Sequence, residues 1–115
     1  MSNEEMDALN CACAEVMGWT DVIPYPEGYS LGLPPGGDPE MTARSRIPTP
    51  CTSWSDFGAL LTALAAKGHG PEVSFLTYDG KWMAALNEFT ITVDGCADPR
   101  IALALAVKSL RDGAK

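Results

Sequence analysis

The side chains with the most chemical reach in this 115-residue chain are aromatic rings that share its loops and helix ends with arginines. Trp19 follows Gly18 directly, Tyr25 and Tyr29 lie in a proline-rich stretch, and Trp82 falls on an alternating, strand-like run. Arg44 and Arg46 close the same proline-rich stretch, and Arg100 falls in the first turn of a predicted helix. An aromatic face next to a guanidinium is a usual way to stack a flat ring and pair with a phosphate. The first-turn amides around Arg100 also face an anion. The candidate ligand-binding set is therefore Trp19, Tyr25, Tyr29, Arg44, Arg46, Trp82 and Arg100. Core packing is the competing reading for Trp82, and it is the expected role of Trp54.

Other chemistries find less support. Nucleophilic catalysis needs a nucleophile, a base and a group that orients the base. The sole histidine, His69, stands in a Gly68-His69-Gly70-Pro71 turn and reads as an exposed loop residue. Asp94 and Asp98 flank a turn, and Glu4, Glu5 and Asp7 decorate a helix start, so solvation and capping account for both groups. There is no Gly-x-x-x-x-Gly-Lys or Gly-x-Gly-x-x-Gly pattern, and Gly36-Gly37 reads as a turn. Cys11 and Cys13 are two apart and point to nearly opposite helix faces, Cys51 and Cys96 are isolated, and no Cys-x-x-Cys pair exists. Zinc sites usually repeat a close pair of ligands. No catalytic residue, metal site or cofactor is expected, and Cys13 and Cys96 read as small buried apolar groups.

Hydrophobic residues make up 46% and charged residues 20% of the chain, which is an ordinary globular composition. The length corresponds to a single domain spanning 1–115. A net charge of −7 disfavours nucleic-acid polymers and anionic membranes, whose phosphates are held by clustered Lys and Arg. It leaves room for a small anionic ligand held by backbone amides and one or two arginines. The N-terminus has no basic start followed by an apolar run, and the longest apolar run, Ile101 to Val107, is far too short for a span. The expected location is the cytoplasm, where thiols stay reduced.

These side chains must be positioned by an α+β fold. A first helix is predicted from about Asn3 to Met17, with Asn3 as cap, acidic residues at its positive end, and Met6, Leu9, Cys13, Val16 and Met17 on one face. Residues 18–51 hold Pro24, Pro26, Pro34, Pro35, Pro39, Pro48 and Pro50, joined by Gly28, Gly32, Gly36 and Gly37, and read as one long functional loop. A second helix is expected to begin near Thr52 or Ser53, where Ser53-Trp54-Ser55-Asp56 resembles a capping box with Asp in place of Glu; its stripe is Trp54, Phe57, Leu61 and Leu64, and Gly68 closes it. An antiparallel hairpin turns at Asp79-Gly80, and Phe89, Ile91 and Val93 extend it or add a third strand. Asp98-Pro99 starts the last helix, which is apolar all round and hence the most buried. The expected order is helix, long loop, helix, hairpin of two or three strands, helix, layered as a sandwich. So small a sheet leaves edges open, and self-association, with a dimer favoured, is the simplest protection.

Val16-Met17-Gly18-Trp19, the stretch Ile47-Pro48-Thr49-Pro50-Cys51-Thr52 before a Trp54-led helix, a Trp-bearing strand, and Ala97-Asp98-Pro99-Arg100 leading into IALALAVK together resemble the bacteriophage ABA-sandwich domain. The resemblance spans almost the whole chain. One departure lies before the second helix, where family members often carry Pro-x-Tyr-Ser-Thr-Asp and this chain has Pro48-Thr49-Pro50-Cys51-Thr52-Ser53. The resemblance implies a phage origin and a helix–sheet–helix layering. In that setting the expectation is an anti-defence protein that sequesters a host nucleotide signal without turnover, either a cyclic or adducted ADP-ribose or a cyclic dinucleotide. Two alternatives stand beside it. One is an acidic inhibitor that binds a host protein directly, and the other a small hydrolase of nucleotide signals built on His69 or a pair of acids.

Overall fold

The computed structural model describes residues 2–25, 29–38, 40 and 43–113, with the backbone alone at Tyr25 and Tyr29. The fold is α+β, and the described residues form three helices and two small antiparallel sheets of three strands each.

Helix α1 spans Asn3–Val16. Its cap is Ser2 rather than the expected Asn3. The Ser2 hydroxyl accepts from the Glu5 backbone N–H while the Glu5 carboxylate reaches back to the Ser2 N–H, a reciprocal box that Asn3 is one residue too late to make. Gly18, at φ 102°, ends the helix.

The segment read as a long loop instead builds a sheet of β1 (Thr20–Tyr25), β2 (Tyr29–Leu33) and the two-residue β3 (Ser45–Arg46). Punctuation hid these strands from the sequence pattern. Pro24 lies on an edge strand, where a missing N–H need not break the ladder. A register shift between Thr20 and Ile23, with Asp21 at φ 53°, interrupts the alternation on β1. Gly32 lies mid-strand because a Cβ there would come within 3.1 Å of Val22 and 3.3 Å of Ile47 and the Thr20 carbonyl. Buried Asn10 on α1 accepts from the Cys51 N–H at 3.2 Å, fastening the start of the chain to the approach to the second helix.

Helix α2 spans Trp54–Ala66 behind the Ser53 cap. Ser53 accepts from the Asp56 N–H as expected, but the Asp56 side chain turns outward to the Thr49 N–H at 2.8 Å, so the capping box is only half made. Strands β4 (Glu72–Leu76), β5 (Lys81–Leu86) and β6 (Ile91–Cys96) form the second sheet, β5 in the middle. Gly80 at φ 69° donates to the Leu76 carbonyl and closes the β4–β5 turn. The third strand starts at Ile91, because Asn87, Glu88 and Phe89 all take left-handed φ values in the turn before it and leave Phe89 exposed.

Helix α3 spans Pro99–Arg111 behind the Asp98 cap. It lies against α1 and across β5 and β6. Ala102, Leu103, Ala104, Ala106 and Val107 are fully buried, as its all-apolar sequence predicts. The core joins these to Leu9 and Cys13 of α1, Leu60 and Leu64 of α2, and Ala84, Leu86 and Ile91 of the second sheet. Burial of each large side chain here contributes roughly 1.5–3 kcal/mol. Cys51, not Cys96, accompanies Cys13 in that core, and Cys96 is half-buried. None of the helices is long and apolar enough to cross a membrane among the described residues.

Candidate functional site

The two helix caps set the site. Ser53 and Asp98 fix where α2 and α3 begin, and the first residues of both helices, Trp54 and Pro99, line one groove of about 520 Å³. Phe57 and Leu61 line it from α2, Val73 from β4, Trp82 from β5, and Ala97 and Asp98 from the link into α3. Trp54 belongs to the apolar stripe of α2 as its spacing predicts. It nevertheless keeps 57% of its surface exposed, because the stripe runs past the end of the core at the first turn. Its expected role as a core residue is thus corrected. Phe57 meets it edge-on at 5.6 Å between ring centroids, and Trp82 meets the exposed Phe75 at 5.1 Å.

Arg100 ties together two of the residues that line this groove, Asp98 and Trp54. Its Nε donates to both Asp98 carboxylate oxygens at 3.1 and 3.2 Å, and Nη2 donates to one of them at 2.7 Å. Nη1 donates to the Thr52 carbonyl at 3.0 Å, which ties the start of α3 to the approach to α2. The guanidinium carbon lies 4.2 Å from the centre of the Trp54 ring, a cation–π contact. The Arg100 side-chain hydrogen bond holds the Asp98 carboxyl below its ordinary range; burial opposes it, and the backbone N–H and the charge of Arg100 add to the lowering. The same pairing raises the Arg100 pKa. Asp98 is therefore a poor proton acceptor, and the pair presents little net charge to a ligand. The groove offers large apolar rings beside a neutralised ion pair, a surface suited to stacking and dispersion.

The residues singled out from sequence divide into two groups. Trp82 lines the groove and Arg100 reaches it through Trp54. Trp19, Arg44 and Arg46 belong elsewhere, with the first sheet. Trp19 is half-buried where α1 ends, its backbone N–H donating to the Ala14 carbonyl at 3.0 Å. Arg44 pairs with Asp21, and Arg46 lies on β3 opposite Leu31. Tyr25 and Tyr29 face each other at the joined ends of β1 and β2, and their side chains lie outside the described residues. The sequence reading missed Trp54 and Asp98 as groove residues. Their signal was the pair of N-caps, each placing a distinctive residue at a helix start.

A smaller concavity of about 330 Å³ lies at the other end of the second sheet. His69 is half-buried there, not exposed as expected, with Nδ1 3.0 Å from Asn87 Oδ1, while the Asn87 N–H donates to the His69 carbonyl at 2.7 Å. The burial comes from the left-handed turn at Asn87–Phe89, which folds over the chain leaving α2. No family model, curated protein or solved structure matches the chain.

Proposed function

We propose that this chain acts by binding rather than by turnover, as an acidic protein that docks on another protein and receives one bulky apolar anchor side chain in the α2–β5 groove. The observation that carries this is Trp54, an indole 57% exposed at a groove already lined by Phe57 and Trp82. Tryptophan and arginine in partly enclosed pockets are the residue types that dominate protein–protein binding energy. A net charge of −7 favours a partner with Lys or Arg around that anchor. In the phage setting that the sequence resembles, the partner is a host protein and docking inhibits it.

A second reading retains the nucleotide-sequestering role. The groove volume falls in the small-ligand range, and the exposed face of Trp54 can stack a base. It is the weaker reading because Arg44 pairs with Asp21 on the first sheet and Arg100 is committed to Asp98.

Calorimetry distinguishes the two. Short basic peptides with a central Trp, Phe or Leu form one arm, and ADP-ribose derivatives and cyclic dinucleotides form the other. Peptide binding that Trp54→Ala and Trp82→Ala each weaken by about thirtyfold, the equivalent of roughly 2 kcal/mol, supports the docking reading. Heat from the nucleotides alone supports the second reading, and binding indifferent to both substitutions removes the groove from either.

A further inference from the structure

The open edge of the second sheet carries an inference that holds whatever the groove binds. In the order β4-β5-β6, β4 and β6 each have one side without a strand among the described residues. The β6 edge is guarded. A register shift opposite Trp82 and Ala84 interrupts its ladder, Asp94 places a charge on it, and Gly95 turns to φ 75°. The β4 edge has none of these devices. It pairs with β5 in unbroken register from Glu72↔Ala85 to Leu76↔Lys81, contains no proline, and carries its one charge at its first residue. Phe75 on this strand remains 48% exposed. A regular, unguarded edge with an exposed ring is a template for another strand.

We propose that a second copy of this chain pairs with β4 antiparallel about a two-fold axis through Ser74, fusing the two second sheets into one of six strands. Ser74 is the middle residue of β4, so this centre alone pairs all five residues of both strands. The register sets Val73 opposite the partner's Phe75 and Glu72 opposite the partner's Leu76. Val73 and Phe75 share the face of their cross-strand neighbours Ala84 and Trp82, and Val73 lines the groove. The partner's Phe75 therefore packs on a groove residue, and the second copy supplies a ring to the site. On the opposite face, Glu72 falls in one row with the partner's Leu76 and the partner's Lys81. Two strand spacings, about 10 Å, separate Glu72 from that lysine, a gap these two long side chains can close. Neither Glu72 nor Lys81 makes an ion pair among the described residues, so both are available for this cross-subunit contact.

The axis is tested by charge reversal on the full chain. Ser74→Lys and Ser74→Glu each place like charges directly across the axis, where they oppose pairing. In sedimentation velocity the wild type is a dimer, each variant alone is a monomer at the same concentration, and their equimolar mixture recovers the dimer. Circular dichroism melts confirm that each variant folds. Ser74→Cys reads the same axis independently, since mild oxidation yields a covalent dimer whose disulfide maps to position 74. A wild type that is monomeric throughout, charge variants that dimerise like it, a mixture that stays monomeric, or no cross-link at position 74 overturns the proposal.

Discussion

Substituting Asp98 separates the two tasks that its carboxylate performs at the start of α3. One oxygen accepts from the Arg100 backbone N–H at 2.8 Å and caps the helix, while both oxygens hold the Arg100 guanidinium. Asp98→Ala removes both tasks, and the loss of an N-cap acceptor costs about 1 kcal/mol. For a chain of this length that lowers Tm by roughly 4–6 °C. Asp98→Asn keeps a capping oxygen, since Asn caps about as well as Asp, and removes only the charge. The ion pair is partly exposed, so its loss has the smaller effect. The pH dependence identifies it. Arg100 holds the Asp98 carboxyl below its unfolded value, so the resulting stability is complete above the ordinary carboxylate range, near pH 4. It is lost as pH falls through the folded-state pKa. The Tm advantage of the wild type over Asp98→Asn should be full at pH 7 and should close below about pH 4. Differential scanning calorimetry of the three proteins from neutral to acid pH measures this. An Asp98→Asn protein as unstable as Asp98→Ala, or a gap over Asp98→Asn unchanged in acid, would refute the division of labour.

Leu103→Ala, in the fully buried face of α3, should destabilise the fold by about 2–5 kcal/mol in urea titration, whereas Trp54→Ala should change stability little and act on binding. Gly32→Ala should cost about 1–3 kcal/mol, because the new methyl meets Val22, Ile47 and the Thr20 carbonyl at 3.1–3.3 Å. An unchanged urea midpoint would show that β2 has room to move. Burial raises the Cys13 thiol far above its ordinary range and the Cys51 thiol to about 11. Alkylation of the native protein at pH 8, read by mass spectrometry, should therefore spare both and modify the half-buried Cys11 and Cys96 instead.

Local rules made much of the fold legible. Ser53 and Asp98 are short-range capping signals, and each marks its helix start where the structure has it. The alanine-rich run after Pro99 alternates like a strand, yet its cap and helix-forming composition identify it as helix, and it is the buried one. The first sheet was not legible. Its strands are short, interrupted by Pro24 and a bulge at Asp21, and joined by long-range pairs such as Leu31↔Arg46 that leave no periodic trace. The left-handed turn at Asn87–Phe89 was hidden as well, because no glycine announces it and the packing around His69 holds it in place.

The same distinction applies to the candidate site. From sequence alone came the residue types, rings and arginines, and the helix starts that present them, because caps and apolar periodicity act over three or four neighbouring residues. Tertiary structure alone decided which of them meet. It set Trp54 and Arg100, 46 positions apart, face to face at 4.2 Å, and it left Arg44 with Asp21 on another sheet. Which groups face one another depends on how α2, α3 and the second sheet pack across a shared core. That packing is a property of contacts between distant segments, and no window of neighbouring residues contains it.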